Sequence, residues 1–386
     1  MRIYLDHNAT TPLRPQARAA MLAALDGGGN PSSIHAQGRA ARALVESARR
    51  TIANKLGVLP AMVIFTGVGT EANNFAIKGA DVDRIVISAI EHSCVLEAAK
   101  ATGKPVETVP VTKQGVIDLD ALENTLMQGE GKALVCLMLA SNETGAVQPV
   151  RQAAAIAAKH GALIHTDAVQ AFGKQPVNFG LLGVDMMTLS AHKLGGPQGV
   201  GALIVRDGVV LEKFIHGGGQ ELGRRGGTEN VAGIAGFAAA AEVATDAIGE
   251  KQSGIKALRD LFESKLQEVS PDVEIFSSNV ERLPNTSYIA LKGMNAQTTL
   301  INLDLEGIAV STGSACSSGK VTGSRVLAEM GVPDDLRACA LRISFGWTSS
   351  KADVTKFIEV WQRLVTRHQQ NTVENKVQKK VQNTAA

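Results

Sequence analysis

Short apolar runs alternate with stripes of apolar residues at helical spacing between about residues 40 and 205. Leu44, Ala48, Ile52 and Leu56 recur every four residues and predict a helix with one buried face. Met62-Val63-Ile64-Phe65 then reads as a strand, followed by the turn Thr66-Gly67-Val68-Gly69-Thr70 and a helix from Glu71. The runs 84–88, 133–139, 162–164, 186–189 and 200–205 continue the strand series. Strands alternating with helices predict a largely parallel sheet covered on both faces. After about residue 250 the pattern changes. A charged amphipathic helix over 255–269 leads to strands near 273–275 and 288–291, a helix over 298–305, a strand over 341–345 and a terminal helix over 351–367. That order predicts a smaller α+β domain.

The expected division is a large α/β domain over 13–250 and a small one combining 1–12 with 251–368. Residues 369–386 are polar apart from three valines and are expected to form a disordered tail. At 386 residues the chain is long enough for two domains and a large core. A formal net charge of +2 and 4% aromatic residues argue against a nucleic-acid partner. No apolar run approaches the ~18 residues that would span a bilayer. The start Met1-Arg2-Ile3-Tyr4-Leu5-Asp6 lacks a secretory pattern. A cytoplasmic chain with no membrane partner is expected.

Four cysteines at 94, 136, 316 and 339 form no CxxC pair, which argues against an intrinsic metal site or a disulfide framework. Cys136 and Cys339 sit in apolar surroundings and are expected to be packed, whereas the sequence around Cys94 leaves its role open. Cys316 differs. It lies in Ser311-Thr312-Gly313-Ser314-Ala315-Cys316-Ser317-Ser318-Gly319-Lys320, a small, polar stretch beside a cation, where a thiol would be exposed and reactive.

Polar side chains gather where strands end. His165-Thr166-Asp167-Ala168-Val169-Gln170 and Ser190-Ala191-His192-Lys193 each follow a strand-like run. Side chains at such ends face the crevice where α/β sheets bind ligands. An Asp in one run and a Lys in the next suit pyridoxal phosphate: Lys193 for the Schiff base with its aldehyde, Asp167 to hold the ring nitrogen protonated, Ser190 and His192 beside the phosphate. Gly67-Val68-Gly69-Thr70-Glu71, between strand and helix, offers an anion site. Its incomplete glycine pattern disfavours a dinucleotide. Glu91-His92 and Asn142-Glu143-Thr144-Gly145 bring further polar groups to the same sheet edge. The glycine-rich stretch 217–230 reads as a loop whose Arg224, Arg225 and Thr228 could meet a phosphate, or as a plain connection. Arg342, inside an apolar strand, needs a carboxylate from a substrate or from the chain itself.

These residues resemble the pyridoxal-phosphate-dependent cysteine desulfurases of the class-V aminotransferase superfamily, NifS/IscS-type. The resemblance covers about residues 3–365. Its motifs include Tyr4-Leu5-Asp6-His7-Asn8-Ala9-Thr10-Thr11-Pro12, Gly69-Thr70-Glu71-Ala72-Asn73-Asn74, Glu91-His92, the Asp167 and Lys193 runs and Ser314-Ala315-Cys316. The stretch 224–230 is similar to the NifS branch rather than the housekeeping one.

The resemblance implies the type I fold of these enzymes and a homodimer. It also implies Lys193 as the cofactor lysine, Asp167 on the pyridine nitrogen, Gln170 and Asn142 on the ring-hydroxyl side, and His92 stacked on the ring. Gly69, Thr70, Ser190, Ala191, His192 and, from the other subunit, Thr228 complete the cofactor site. Arg342, helped by Asn142, would bind the carboxylate of L-cysteine. Cys316 would accept sulfur as a persulfide and pass it to an iron–sulfur scaffold or another acceptor protein, with a transient iron–sulfur ligand role there left open, as is a link to nitrogenase. Position 191 is Ala where many relatives have Gly, and Lys320-Val321-Thr322-Gly323-Ser324 replaces a more acidic stretch, so the acceptor is not specified. A selenocysteine lyase or cysteine/cystine lyase on the same scaffold, and a catalytically silent docking subunit, are the alternatives.

Overall fold

A computed structural model describes residues 2–313 and 323–384, with the side chains of 250–252 and 371–384 left aside. Twelve strands order the description. They are β1 (Ile3–Tyr4), β2 (Val63–Thr66), β3 (Arg84–Ser88), β4 (Val106–Val109), β5 (Ala133–Cys136), β6 (Leu163–Asp167), β7 (Met186–Ser190), β8 (Gly201–Val205), β9 (Glu274–Ile275), β10 (Thr286–Ala290), β11 (Ile308–Ala309) and β12 (Ala340–Ser344).

Seven of them form one sheet in the order β2-β8-β7-β6-β5-β3-β4. The β4-β3-β5-β6-β7 run is parallel throughout, and β8 lies antiparallel to both β7 and β2. Hence β2, β3, β5, β6 and β7 all point the same way and end at one edge. Apart from Leu163, the first residue of β6, the strands from β5 to β8 are buried residue by residue, because helices cover both faces. The parallel sheet and its helices agree with the sequence pattern.

Four helices lead the first half: α1 (Pro15–Gly27), α2 (Ala36–Leu56), α3 (Gly69–Gly79) and α4 (Ser93–Lys100). In α2, Val45, Ala48, Ile52 and Leu56 are buried but Leu44, which the spacing placed in the stripe, is exposed. The buried face passes through Val45 instead, one residue round the helix. Gly57, with φ 70°, closes α2 in the left-handed region that glycine tolerates.

The second core gathers Leu5, Phe262, Leu266, Ile289, Leu341, Ile343, Phe345, Phe357 and Trp361. It is built on a three-stranded antiparallel sheet, β12-β10-β9, and on the parallel pair β1-β11. β1 thus carries the N-terminus across to the C-terminal half.

One expectation fails. The terminal helix runs Lys351–Thr384, through the segment expected to be a disordered tail. Residues 369–384 contain no Gly or Pro and are rich in Gln and Lys, which lose little freedom in a helix. Val373, Val377 and Val381 recur every four residues, so the period is helical after all. The helix has only to extend an existing one, which avoids the cost of nucleation. Among the described residues no helix is long and apolar enough to cross a membrane.

Candidate active site

The common edge of β2, β3, β5, β6 and β7 opens into a cleft of about 430 Å³ lined by residues of every one of these strand ends or the turns after them. Small-molecule sites typically enclose about 300–1,000 Å³. Gly69, Thr70, His92, Asn142, Asp167, Gln170, Ser190, His192, Lys193 and Arg342 all line it. Residues up to 273 apart in sequence (342 − 69) are thus brought together.

Asp167 is the last residue of β6 and is buried. Its Oδ2 accepts from Asn73 Nδ2 at 2.7 Å and its Oδ1 from the Val169 backbone N–H at 2.9 Å. Two donors thus fix the orientation of the carboxylate. Lys193 closes the short turn after β7, and its Nζ donates to the carbonyls of Asn8 and Ala9 at 2.7 and 2.8 Å. The N-terminal segment is held there by Thr11, whose backbone N–H donates to His192 O at 2.9 Å.

His92 caps α4. Its Nδ1 accepts from the Cys94 backbone N–H at 3.2 Å and lies 3.0 Å from Cys94 Sγ. With Nδ1 an acceptor, the neutral ring carries its proton on Nε2. Cys94 also accepts from Asn73 Nδ2 at 3.2 Å, so one small network runs from the imidazole to the Asp167 carboxylate. Just before it, burial pushes the Glu91 carboxyl up to about 8, against a hydrogen bond from Met138 N. His192 is driven the other way, to about 4, by burial and by the charges of Lys193 and Lys174.

Beside Ser190, α3 starts at Gly69 with no side chain capping it. A Cβ on Gly69 would lie 3.2 Å from both Ser190 Cβ and Val169 Cγ2, so glycine lets the helix start lie tight against the ends of β6 and β7. Glu71 fixes the turn, accepting from Gly67 N at 2.7 Å and pairing with Arg225 at 2.8 Å. Arg342 crosses from β12, pairing with Asp6 at 2.8 Å and donating to Asn142 O at 3.0 Å. Its buried Nε has no hydrogen-bond partner.

These features fit pyridoxal phosphate. An uncapped helix N-terminus beside Ser190 and Thr70 suits its phosphate, a carboxylate at the opposite end suits its pyridine nitrogen, and an amine lies between.

Not every expected residue joins the cleft. Thr228 is exposed on its loop and lines a separate crevice with Phe65, Gly67 and Arg225. Ala191 is buried behind the cleft wall, against Gly196. The arginine pair left open as phosphate ligands is used within the chain: Arg225 on Glu71, and Arg224 on the Val63 carbonyl. Cys316 lies outside the described residues, three positions along the chain from Gly313, which lines the cleft. Cys136 and Cys339 are buried as expected, and Cys94, whose role the sequence left open, is a cleft residue.

Sequence reasoning gave no role to Asn8, Asn73 or Lys174. For two of them spacing was the available signal, since Asn73 follows Gly69 and Lys174 follows Gln170 by four residues.

A mostly parallel α/β sheet with a lysine, an aspartate and an open helix N-terminus at one edge defines a pyridoxal-phosphate type of enzyme. The aminotransferase class-V family model matches residues 3–357, and the chain belongs to that family. It is 39% identical to cysteine desulfurase IscS of Dictyoglomus turgidum, over 95% of each chain. It is 40% identical to the IscS-like cysteine desulfurase of Mycobacterium tuberculosis, over 94% of this chain and 96% of that one. Among solved structures, the NifS-like protein of Rickettsia africae superposes with a TM-score of 0.89 at 40% identity, covering 95% of this chain and all of that one.

Proposed function

We infer that this chain is a cysteine desulfurase, converting L-cysteine to L-alanine and delivering the sulfur as a persulfide on Cys316. The observation that carries the reading is the meeting of Asp167, Lys193, His92 and Arg342 in one cleft, with Gly313 at its rim.

Bound there, pyridoxal phosphate would supply a ring that accepts the electrons freed at the substrate Cα. Asp167 would keep the ring nitrogen protonated, with its carboxylate held in place by Asn73 and Val169. The first turn of α3, Thr70, Ser190 and His192 would hold the phosphate. His192 suits a neutral donor there, since its proton affinity is depressed to about 4. His92 would cover the ring face, and Gln170 and Asn142 would hold its hydroxyl side.

Arg342 would take the substrate carboxylate through the donor it leaves unused, Nε. Lys193 would move the Cα proton as a free amine. The Cys316 thiolate would then attack the substrate sulfur. A sulfur–sulfur bond forms, the Cβ–S bond breaks, and its electron pair stays with the carbon product, which leaves as alanine after protonation.

We further propose a homodimer in which Thr228, away from its own chain's cleft, completes the neighbour's phosphate site. An iron–sulfur scaffold or another acceptor protein would take the persulfide sulfur. The test of the cofactor site is borohydride reduction of the purified yellow protein. The cofactor should be fixed on the peptide containing Lys193, and a colourless protein with full activity would contradict the assignment.

A further inference from the structure

Lys174 lies in the loop after β6, behind Lys193. Its Nζ donates to two neutral oxygens, Asn8 Oδ1 at 3.0 Å and Gln170 Oε1 at 2.7 Å. Among the described residues no carboxylate forms an ion pair with it. A half-buried ammonium without a counter-ion has lost part of its hydration for no ion pair, so its place needs a reason.

The geometry supplies one. Gln170 turns its other end, Nε2, to the Asn8 carbonyl at 3.0 Å, and that same carbonyl accepts from Lys193 Nζ at 2.7 Å. Asn8 is therefore a hub. Its backbone oxygen holds Lys193, and its side chain is held by Lys174 and by Asn285 Nδ2 at 2.9 Å. Both lysines also line a second cavity of about 560 Å³ whose other charged lining group is Arg14.

We propose that Lys174 is a positioning residue for Lys193: it orients the Asn8 and Gln170 groups that place the Lys193 amine, and its ammonium keeps the Lys193 nitrogen unprotonated, whether bound to the cofactor or free. The proposal rests on reading Lys193 as the cofactor lysine.

Two half-buried amines that share Asn8 as a partner cannot both hold a proton without mutual repulsion. Burial, Lys193 and Arg342 all lower the proton affinity of Lys174, and the repulsion by Lys193 is reciprocal. Each amine has two acceptors, Lys174 the side-chain oxygens of Asn8 and Gln170 and Lys193 the carbonyls of Asn8 and Ala9, and Lys193, which bonds to the cofactor only as a neutral amine, is the one that gives up the proton. A lysine made more basic-competent by a neighbouring cation is a recognised way to activate an amine. The remaining groups facing the pair leave that balance in place. His192 on the Lys193 turn and His7 on the N-terminal segment are neutral, with proton affinities lowered to about 4 and about 3. Arg342 is matched by Asp6. Arg14 adds positive charge, and Asp167, on the far side of Lys193, is held by Asn73.

The test is a pH titration of the visible absorbance of the holoprotein, in wild type and in Lys174→Gln. Glutamine keeps a donor for Gln170 and removes the charge. The midpoint should rise by about one unit or more in K174Q, with circular dichroism unchanged. An unchanged midpoint in folded, cofactor-bound K174Q would overturn the proposal.

A second measurement needs no variant. In the wild-type apoprotein, the pH dependence of acetylation of Lys193, followed by mass spectrometry, should have its midpoint below that of exposed Lys113. A midpoint at or above that of Lys113 would overturn the proposal too, and it decides the matter if K174Q does not fold. Failure of the cofactor reading is a separate result, seen as borohydride fixing the cofactor somewhere other than Lys193.

Discussion

Asn73 on α3 donates to the Asp167 carboxylate at the end of β6 at 2.7 Å, and the same amide reaches Cys94 Sγ at 3.2 Å. One buried side chain therefore links the floor of the cleft to the turn that carries His92. It also means that α3 does two things at once: its N-terminus opens on the cleft, and its second turn orients the Asp167 carboxylate.

Asn73→Ala should weaken cofactor binding and turnover about tenfold or more, since a hydrogen bond to a buried charge is worth about 1.5–3 kcal/mol. Asn73→Asp should be worse, because it sets a second carboxylate against Asp167. Absorbance titration of the apoprotein with pyridoxal phosphate measures both. Cofactor affinity unchanged in N73A would show that Asn73 does not orient Asp167.

Arg342 gives a prediction of a different kind. Lysine there lacks the planar fork whose two ends reach Asp6 and the Asn142 carbonyl. Arg342→Lys should raise KM for cysteine about 100-fold while leaving cofactor binding within about twofold, the cost of one charge-assisted hydrogen-bond set. Steady-state kinetics with a cofactor titration separates the two. An unchanged KM would remove Arg342 from the substrate site.

Glu91 predicts a loss of stability towards alkaline pH. Burial raises its carboxyl to about 8 in the folded chain, above the 4.5 of the free group. The folded state therefore binds this proton more tightly than the unfolded one. The stabilisation is fully present below about pH 4.5 and is lost as pH rises through about 8. Glu91→Gln keeps the oxygen that accepts from Met138 N and cannot titrate. Melting temperature against pH should fall less steeply for E91Q between pH 5 and 9, and parallel curves would contradict the account.

Three histidines work at the acid end. Burial lowers His7 to about 3, and His165 and His192 to about 4, each below the usual 6.5. Folded, they bind fewer protons than unfolded, so the stability they contribute is present above pH 6.5 and lost as pH falls through 4. His165, under the sheet against Thr188, is away from the cleft lining. His165→Gln should melt lower than wild type at pH 8 but lose less stability between pH 6.5 and 4.5. Equal acid sensitivity would contradict the assignment for His165.

The sheet was legible because its strands are buried on both faces. A run such as Ala133-Leu134-Val135-Cys136 has one plausible fate, and the polar residues that follow such runs mark the ligand edge. Lys193, Asp167 and His92 were readable on that ground, and Arg342 as a charge inside an apolar strand. Asn8, Asn73 and Lys174 were not, because an amide or a lysine has chemical meaning only through what it touches. Their partners lie far off in sequence: Asn8 meets Asn285, 277 positions away. The Lys351–Thr384 helix was missed in its second half because polar composition was read ahead of a four-residue valine period. Thr228 illustrates a different limit, since a residue proposed to serve a second subunit has no partner to find within one chain.

The central claim is that sulfur from cysteine passes through Cys316. The direct measurement is the peptide mass of Cys316 after exposure to cysteine without reductant, set beside alanine formation by Cys316→Ala. Wild type should gain the mass of one sulfur atom on that peptide. The variant should keep its cofactor and still change its absorbance on adding cysteine, yet form almost no alanine. Near-normal sulfide release from cysteine by Cys316→Ala would contradict the account and make the protein a lyase.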